Sequence, residues 1–369
     1  MSELQALGNH QAAAQRGGRL MHAGPAFNWS ALFALAAAGS SALTWIWIGF
    51  ARRRQIHDLP GQRRLHGQPT PRGGGIAIAL VCVAAFAWLA SRTPTASPEL
   101  VFAALGMTLF AGIGLLDDLV PVRALAKLAL QLAAAAVLVF GISHDWPLWM
   151  LATSAFLTVV CAYFVNCWNF MDGSNGMIAT QSLVICLALA VRDEAPATLR
   201  LAALATAGAC VGFLPFNLPR ARVFLGDVGS HVLGAAVFAL LLLMWHATDI
   251  GVREMLMGCS AVLIDTGLTL LRRLLAGRKV WHAHREHLYQ IAVRKGHSHG
   301  QVCFVFAAWT LVWAALAQLF HSYSSFVMSI LFILCYTCGA ALYFGLRWIW
   351  LRPTRRGSAV DDMHRMLNE

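Results

Sequence analysis

Long apolar runs separated by short polar segments make up most of this 369-residue chain. Eleven of the runs are close to the roughly 20 residues that a helix needs to cross a bilayer. The predicted spans are residues 28–50, 73–91, 99–116, 121–140, 147–168, 174–191, 198–216, 229–248, 252–272, 302–321 and 325–350. The pattern predicts an all-α polytopic membrane protein with about 11 transmembrane helices.

Composition agrees with this class, since 58% of the residues are hydrophobic, only 12% are charged, and the mean hydropathy is +0.62. In a membrane protein, the net charge of +11 indicates loops beside anionic lipid and not a nucleic-acid partner. The nine cysteines lie in or at the ends of apolar runs, so free thiols are expected. We predict a poorly ordered extracytoplasmic tail (1–27), one multi-span domain (28–350) and a cytoplasmic tail (351–369).

The Lys and Arg residues are distributed unevenly between the two sets of loops, and one set holds 22 of the 28. The positive-inside rule then places the amino end outside and the carboxyl end in the cytoplasm. Under this topology every polar motif falls at a cytoplasmic helix end, which predicts a cytoplasmic active site. A transporter, suggested by the many spans and by the intramembrane Asp265, would instead carry polar groups near the midplane. A non-catalytic scaffold is a third reading.

The polar stretch 166–176 interrupts an apolar region. On a helix, Asn166, Asn169 and Asp172 are spaced i, i+3 and i+6 and point roughly the same way, before glycines end the helix. This spacing predicts a binding site. The alternatives are a surface turn and a fragment of a calcium loop that lacks its distal glutamate.

Carboxylates occur at two further helix ends. Asp117 and Asp118 end the third span, and Asp227 lies just before the eighth. Adjacent carboxylates at a membrane boundary are costly unless they are hydrated, paired or bound to a cation. Oxygen ligands of this kind suit Mg²⁺ or Mn²⁺. The alternatives are a solvated helix end for the pair and a helix cap for Asp227.

Basic groups accompany these carboxylates. Residues 281–290 include His282, Arg285 and His287. Zinc is disfavoured because an arginine lies within the histidine cluster and no thiol is nearby. Anion binding is favoured, with a solvated basic loop as the alternative. In Pro69–Gly75, Arg72 stands between a rigid turn and three glycines. The alternative for this segment is a simple helix entry without a binding role.

Elsewhere, Asp265 and Arg272 are two helical turns apart, which predicts a structural ion pair. Acidic metal ligands beside anion-binding groups indicate phosphoryl transfer between a phosphorylated lipid and a soluble phosphate ester. The chain has no P-loop motif, so an NTPase of that class is not supported.

Five motifs in this order resemble one enzyme family, the polyprenyl-phosphate N-acetylhexosamine-1-phosphate transferases, which include the phospho-muramoyl-pentapeptide transferase. The resemblance covers about residues 28–350. The motifs are PTPRGGG (69–75), LLDD (115–118), NCWNFMDGSNG (166–176), FNLPRARVFLGDVGS (216–230) and HREHLYQ (284–290).

The resemblance implies that undecaprenyl phosphate attacks the β-phosphate of a UDP-N-acetyl sugar and releases UMP in a bacterial inner membrane. Mg²⁺ is the implied cofactor, with Mn²⁺ as an alternative. The implied partners are the two substrates and anionic lipid, and homodimerisation stays open. Implied catalytic residues are Asp117, Asp118, Asp227 and His287, with Asp227 as the first metal ligand and Asp118 and Asp117 beside it. Implied substrate-binding residues are Arg72, Asn166, Asn169, Asp172, Asn217, His282 and Arg285.

Two departures from the family pattern are visible. Where many relatives have H-L-H-H, this chain has His287-Leu-Tyr-Gln290, so only His287 inherits that motif's role. Asn175 stands where many relatives have a second aspartate. Together with PTPRGGG, these features resemble the enzymes that initiate O-antigen or other surface glycans more than the peptidoglycan enzyme. We expect direct attack by the lipid phosphate, with Asp117 positioning it, and no covalent aspartyl intermediate.

Overall fold

A computed structural model of the chain describes residues 28–58, 69–93, 97–120, 122–279 and 284–352. Thirteen α-helices and one pair of two-residue strands lie within these ranges. The predictions for the amino-terminal tail and for residues 353–369 fall outside the described residues.

The helices and strands follow one another in a simple order along the chain. They are α1 (Trp29–Arg53), β1 (His57–Asp58), β2 (Thr70–Pro71), α2 (Ile76–Arg92), α3 (Pro98–Leu119), α4 (Ala124–Ile142), α5 (Leu151–Met171), α6 (Met177–Ala190), α7 (Ala197–Asn217), α8 (Gly226–Ala247), α9 (Val252–Gly258), α10 (Ser260–Leu275), α11 (Leu288–Arg294), α12 (His299–Leu319) and α13 (Ser325–Leu351).

The number of membrane spans is the main difference from the sequence prediction. In the part of the chain that the structure describes, eight helices are long and apolar enough to cross a membrane, or nine when α9 and α10 count as one bent span. The apolar helices α2 and α6 have 17 and 14 residues, fewer than the roughly 20 that a span needs. Each predicted span coincides with an apolar helix or with the bent pair, but the count of 11 and the orientation of the termini stay predictions.

Polar residues fix where several helices begin. The Asn28 side chain accepts the Ala31 N–H at 3.2 Å at the start of α1. At the start of α12, Ser298 and Gln301 form a capping box, in which the Ser298 hydroxyl accepts the Gln301 N–H at 3.2 Å. These side chains satisfy donors that the first turn of a helix leaves unpaired.

The core is organised around α8, which is buried along nearly its whole length. Helices α2 to α7 all pack against it. Helix α1 packs closely on α7 because Gly208 and Gly212 have no side chain there: a Cβ on Gly212 would lie 2.1 Å from the Ala37 carbonyl oxygen. Small residues four apart allow such close helix contacts within membranes.

One predicted span, residues 252–272, is broken and not straight. Helices α9 and α10 meet at an angle of 82°. The break at Cys259 is flanked by Gly258 and Ser260, and the Ser260 hydroxyl donates to the Met257 carbonyl at 2.7 Å. Glycine and serine at a break are a common cause of sharp kinks.

At one end of the bundle, α3, α5 and α7 finish and α2, α4 and α8 begin. We call this the polar end. Strands β1 and β2 form a small antiparallel pair here, with His57 opposite Pro71 and Asp58 opposite Thr70. This pair was not predicted from the sequence, and it leads the chain into Arg72.

Candidate active site at the polar end

Asp227 lies in the first turn of α8, and Asp118 in the last turn of α3 holds that turn in place. The backbone N–H groups of Asp227 and Val228 donate to the two carboxylate oxygens of Asp118 at 3.0 and 3.1 Å. Gly226, the first residue of α8, has a φ of +76°, which favours glycine. Asp118 therefore acts as the cap of α8 and positions Asp227.

Two cations alternate with the three carboxylates. The Arg72 Nε lies 2.7 Å from Asp118 Oδ1, and its Nη2 lies 3.2 Å from Asp227 Oδ1. The Lys127 Nζ lies 2.9 Å from Asp117 Oδ2 and also contacts Asp227 Oδ2. Burial by itself would lower the pKa of Arg72, but the nearby carboxylates outweigh it and raise that pKa. We call Arg72, Asp117, Asp118, Lys127 and Asp227 the charge cluster.

The glycines after Arg72 explain how that side chain reaches the charge cluster. The N–H groups of Gly74 and Gly75 donate to the carbonyls of Phe224 and Leu225 at 2.9 and 2.8 Å. A Cβ on Gly75 would lie 2.2 Å from the Gly229 Cα, so only glycine permits this approach. Residues 69–75 therefore form the entry to α2, which was one of the alternatives predicted from the sequence. They also place the Arg72 guanidinium beside the carboxylates.

Asn166 and Asn169 lie behind the charge cluster on α5. The Asn166 amide donates to Gln131 Oε1 at 2.8 Å, and Gln131 Nε2 lies 2.8 Å from His231 Nε2. His231 in turn contacts the Asp227 carbonyl through Nδ1. The Asn169 amide donates to the Ser230 hydroxyl at 3.1 Å. Both asparagines are thus tied to the first turns of α8.

Asp172 follows α5 and lies beside the start of α8, where it accepts a backbone hydrogen bond from Gly226. Desolvation raises the pKa of Asp172 well above its usual range, and the negative charges of Asp227 and Asp118 raise it further. Asp172 therefore binds a proton more readily than an ordinary aspartate. The polar stretch 166–176 and the charge cluster form one site.

Asn217 holds two loops of this site together. Its side-chain oxygen accepts the Gly176 N–H, and its amide donates to the Val223 carbonyl at 2.8 Å. The side chain is buried, and both of its polar groups are used in these contacts. Asn175 adds a second link, since its amide donates to the Pro219 carbonyl at 3.3 Å.

The predicted ion pair between Asp265 and Arg272 is wrong. The Asp265 carboxylate accepts the N–H groups of Leu288 and Tyr289 at 2.9 and 3.1 Å, and the His287 Nδ1 lies 3.4 Å from it. Arg272 pairs with Glu286 instead. Asp265 thus caps the start of α11, where the first N–H groups of the helix lack intrahelical partners.

Tyr289 connects α11 to the turn after Asp172. Its side chain is fully buried, and its hydroxyl donates to the Phe170 carbonyl at 2.9 Å and accepts the Gly173 N–H at 3.1 Å. Burial raises the pKa of Tyr289, so the hydroxyl stays protonated at neutral pH. A tyrosine thus supports the turn after Asp172 through two backbone groups.

Replacing Tyr289 with phenylalanine is expected to destabilise the protein, because both backbone groups lose their partner. The expected loss in free energy of unfolding is about 1 to 3 kcal/mol. Thermal denaturation in detergent would measure it as a lower melting temperature. Tyr323→Phe is the matched control, since Tyr323 is exposed. Equal melting temperatures for the two variants would contradict this role.

The described histidines between residues 284 and 299 do not form a single cluster. The His299 Nδ1 lies 2.8 Å from the Ser174 hydroxyl, whereas His297 packs on Trp350 with ring centroids 5.5 Å apart. His287 is buried, and His284 stacks on it at 4.9 Å. Burial lowers the pKa of His284 to about 4, and the positive charges around it act in the same direction. His282, predicted to bind substrate, lies outside the described residues.

The carboxylates of the charge cluster are the donor groups available for a metal ion. Within the described ranges, no group of three His, Cys, Asp or Glu side chains is arranged to hold a metal ion. Mg²⁺, however, usually takes one or two carboxylates together with substrate phosphates. Asp117 and Asp227, which share Lys127, are a carboxylate pair of that kind. The donor set at this site therefore fits Mg²⁺ bound together with a phosphate-bearing substrate.

The predicted free thiols are confirmed at all nine cysteines.

Comparison with known proteins places this chain in a family. The model of glycosyl transferase family 4 matches residues 100–245. The decaprenyl-phosphate N-acetylglucosaminephosphotransferase of Mycobacterium tuberculosis is 32% identical over 294 residues, which cover 68% of this chain and 72% of the relative. The chain belongs to glycosyl transferase family 4.

Other relatives in glycosyl transferase family 4 differ in the sugar that their names specify. The undecaprenyl-phosphate alpha-N-acetylglucosaminyl 1-phosphate transferase of Thermotoga maritima is 26% identical over 254 residues, covering 69% of this chain and 78% of the relative. The phospho-N-acetylmuramoyl-pentapeptide-transferase of Heliobacterium modesticaldum is 31% identical over 207 residues, covering 50% and 63%. The resemblance predicted from the motifs is therefore confirmed at the level of the family.

Sequence reasoning missed four side chains of this family 4 site: Lys127, Gln131, His231 and Tyr289. Lys127 and Gln131 are one turn apart on α4, and Gln131 is a buried polar residue in an apolar helix. His231 lies four residues after Asp227 and was visible by the same helical spacing. A polar residue inside a predicted span is the signal that was available for Gln131 and His231.

Proposed function

We propose that this chain transfers N-acetylglucosamine 1-phosphate from UDP-N-acetylglucosamine to undecaprenyl phosphate and releases UMP. The charge cluster is the observation that carries the proposal, because it sets two cations among three carboxylates at one end of an apolar bundle. Relatives named for this transfer support the choice of N-acetylglucosamine. We further propose a bacterial inner membrane location, a reaction at the cytoplasmic face, and a role in initiating O-antigen or another surface glycan.

The reaction requires two anionic groups to approach each other. An oxygen of the lipid phosphate attacks the β-phosphorus, a new P–O bond forms, and the bond from that phosphorus to the oxygen bridging it to the α-phosphate breaks. The sugar keeps its phosphate, and the bridging oxygen leaves on UMP. Arg72 and Lys127 are the cations placed to reduce the repulsion between the two phosphate groups.

The carboxylates have different tasks in this proposal. Asp227 and Asp117 would hold Mg²⁺, which when bound supplies positive charge to the diphosphate. Asp118 uses its oxygens on the first turn of α8 and on Arg72, so we assign it a positioning role. Asp117 orients the attacking phosphate. A lipid phosphate has a second pKa near 6 and needs little help from a base, which favours direct attack.

The turn 172–176 and the loop 284–290 are proposed to bind the UDP-sugar. Asp172, Asn166 and Asn169 lie on the side of α8 that faces α5. Arg285, with His282, is proposed to contact the phosphates of the nucleotide. His287 is proposed to orient this loop through its contact with Asp265.

Release of UMP tests the proposal. Purified protein in detergent should release UMP from UDP-N-acetylglucosamine only when undecaprenyl phosphate is present. A panel of UDP-N-acetyl sugars and UDP-muramoyl-pentapeptide would identify the donor. If no donor of the panel yields UMP, as expected for a transporter, the proposal is rejected.

Removing divalent cations should stop the reaction. We expect EDTA to abolish UMP release and Mg²⁺, added in excess of EDTA, to restore it, because the anionic carboxylates repel the diphosphate unless a divalent cation lies between them. Titration of Mg²⁺ against the initial rate gives the apparent affinity. Full activity in EDTA after dialysis would show that no divalent cation takes part.

A further inference from the structure

An apolar groove lies on the outside of the bundle between α10, α12 and α13. Its volume is about 270 Å³, and apolar side chains line most of it. Val305 and Leu342, which line opposite sides, are 62% and 50% exposed, so the groove opens outward. Because α12 and α13 are apolar enough to span a membrane, this opening faces lipid.

The groove ends at the level of a membrane interface. His297 and Trp350 line its end nearest the polar end and pack on each other. Beside them in the last turns of α13, Trp348 is 62% exposed. Exposed tryptophans at a helix end mark the boundary between acyl chains and headgroups. A lipid chain in the groove would therefore have its headgroup at this level.

Positive charge is concentrated at that same level. Arg272, Arg273, Arg278 and Arg347 all pair with one carboxylate, that of Glu286. These four arginines and Glu286 form what we call the arginine cluster, and their formal charge is +3. The Nε atoms of Arg272 and Arg273 are buried and have no hydrogen-bond partner among the described residues. A buried N–H donor without a partner is costly, and two of them beside a single carboxylate indicate that a further anion binds here.

The groove and the arginine cluster are joined in the structure. Arg347 follows Leu346, which lines the groove, and its Nη1 donates to the Glu286 carbonyl at 2.7 Å. Asp265 also lines the groove, but its carboxylate is taken up by the N–H groups of Leu288 and Tyr289. Even with Asp265 counted as −1, the +3 of the arginine cluster leaves the net charge beside the groove positive.

We propose that this groove and the arginine cluster bind one anionic phospholipid, with part of an acyl chain in the groove and the headgroup phosphate on the arginines. The site is separate from the proposed acceptor site. The groove is lined by residues 261–265 and 288–350, whereas the charge cluster comes from the segment before α2 and from α3, α4 and α8. The proposal does not depend on the reaction catalysed.

Native mass spectrometry of the full chain in detergent tests this site. Dioleoyl phosphatidylglycerol and dioleoyl phosphatidylcholine carry the same chains and differ in charge. We expect one phosphatidylglycerol to be retained in preference to phosphatidylcholine. Arg347→Gln should weaken this binding about fivefold, because one arginine near a lipid surface contributes that much. Arg54→Gln, at an exposed arginine after α1, should leave it unchanged.

A groove-filling pair of variants tests the position of the chain. Leu342→Trp should abolish the preference for phosphatidylglycerol, whereas Leu334→Trp, on an exposed part of the same helix outside the groove, should not. Val305→Trp fills the groove from α12 and replaces Leu342→Trp if that variant does not fold. Equal retention of the two lipids, or full retention in the filled variants, would overturn the proposal. Displacement of the bound lipid by equimolar undecaprenyl phosphate would assign the groove to the acceptor and also overturn it.

Discussion

Asp227→Asn is expected to lower the rate of UMP release by about 10²- to 10³-fold, the scale seen when a group that stabilises developing charge is removed. The asparagine keeps the size of the side chain but loses the charge that would hold Mg²⁺. The cap of α8 should survive, because Asp118 accepts the backbone N–H of residue 227 and not its side chain. Arg72 and Lys127 keep Asp118 and Asp117 as partners. The variant should therefore fold.

The matched control is Asp249→Asn, since Asp249 is exposed just beyond the other end of α8. Initial rates at saturating concentrations of both substrates, with thermal denaturation of each variant, separate lost chemistry from lost fold. A turnover within a few-fold of the wild type would remove Asp227 from the metal site. A comparable loss in the control would mean that the assay reports stability.

Lys127→Met is expected to lower kcat by about 10²-fold, since the lost cation no longer offsets the lipid phosphate and the two carboxylates repel each other. Lys127 is the only cation that the structure shows between Asp117 and Asp227 among the described residues. The effect should be coupled to Asp227, because the two side chains are in direct contact. In the double variant we expect a loss no larger than that of Asp227→Asn alone.

Steady-state kinetics with varied undecaprenyl phosphate measure this effect, and Lys295→Met is the control because Lys295 is exposed. Lys127→Arg should recover only part of the rate, since a planar guanidinium does not replace a compact ammonium group between two carboxylates. Wild-type turnover in Lys127→Met would show that Lys127 serves only to pair charges in the substrate-free protein.

The sequence predicted the carboxylates of this site better than its cations. Asp117, Asp118 and Asp227 were recognisable because charged residues at the ends of apolar runs are costly without a purpose. Lys127 was counted only as a basic residue of a loop. Its two partners are 10 and 100 residues away, so the pairing exists only after α3, α4 and α8 have packed together.

Dependence on tertiary contacts also explains the other differences between the predicted and the observed structure. The helical periodicity of Asp265 and Arg272 suggested a local ion pair, but each side chain has a stronger partner from residues 286–289. The bend between α9 and α10 was missed because both halves are apolar and a hydropathy window runs through Cys259 without interruption. Local pattern fixes where apolar helices lie, while their bends and polar partners depend on tertiary contacts.

Asp118 shows how the structure changed the assignment of roles. From the resemblance, both Asp118 and Asp117 were expected beside the metal that Asp227 binds first, with Asp117 also positioning the lipid phosphate. In the folded chain the Asp118 side chain is only 2% exposed and is surrounded by N–H donors, whereas Asp117 and Asp227 keep 18% and 16% exposure. The more exposed pair is better placed to meet a cation and a substrate phosphate.

The fate of the β-phosphate tests the central claim most directly. Wild-type protein would be incubated with undecaprenyl phosphate and UDP-N-acetylglucosamine labelled with ³²P in the β-phosphate, and the lipid would then be extracted into butanol. We predict that the label moves into the lipid and that the UMP left in water is unlabelled. Label that stays in water as UDP would mean that the sugar is transferred without its phosphate, and label that stays in the intact donor would mean that there is no transfer. Either result would contradict the proposed function.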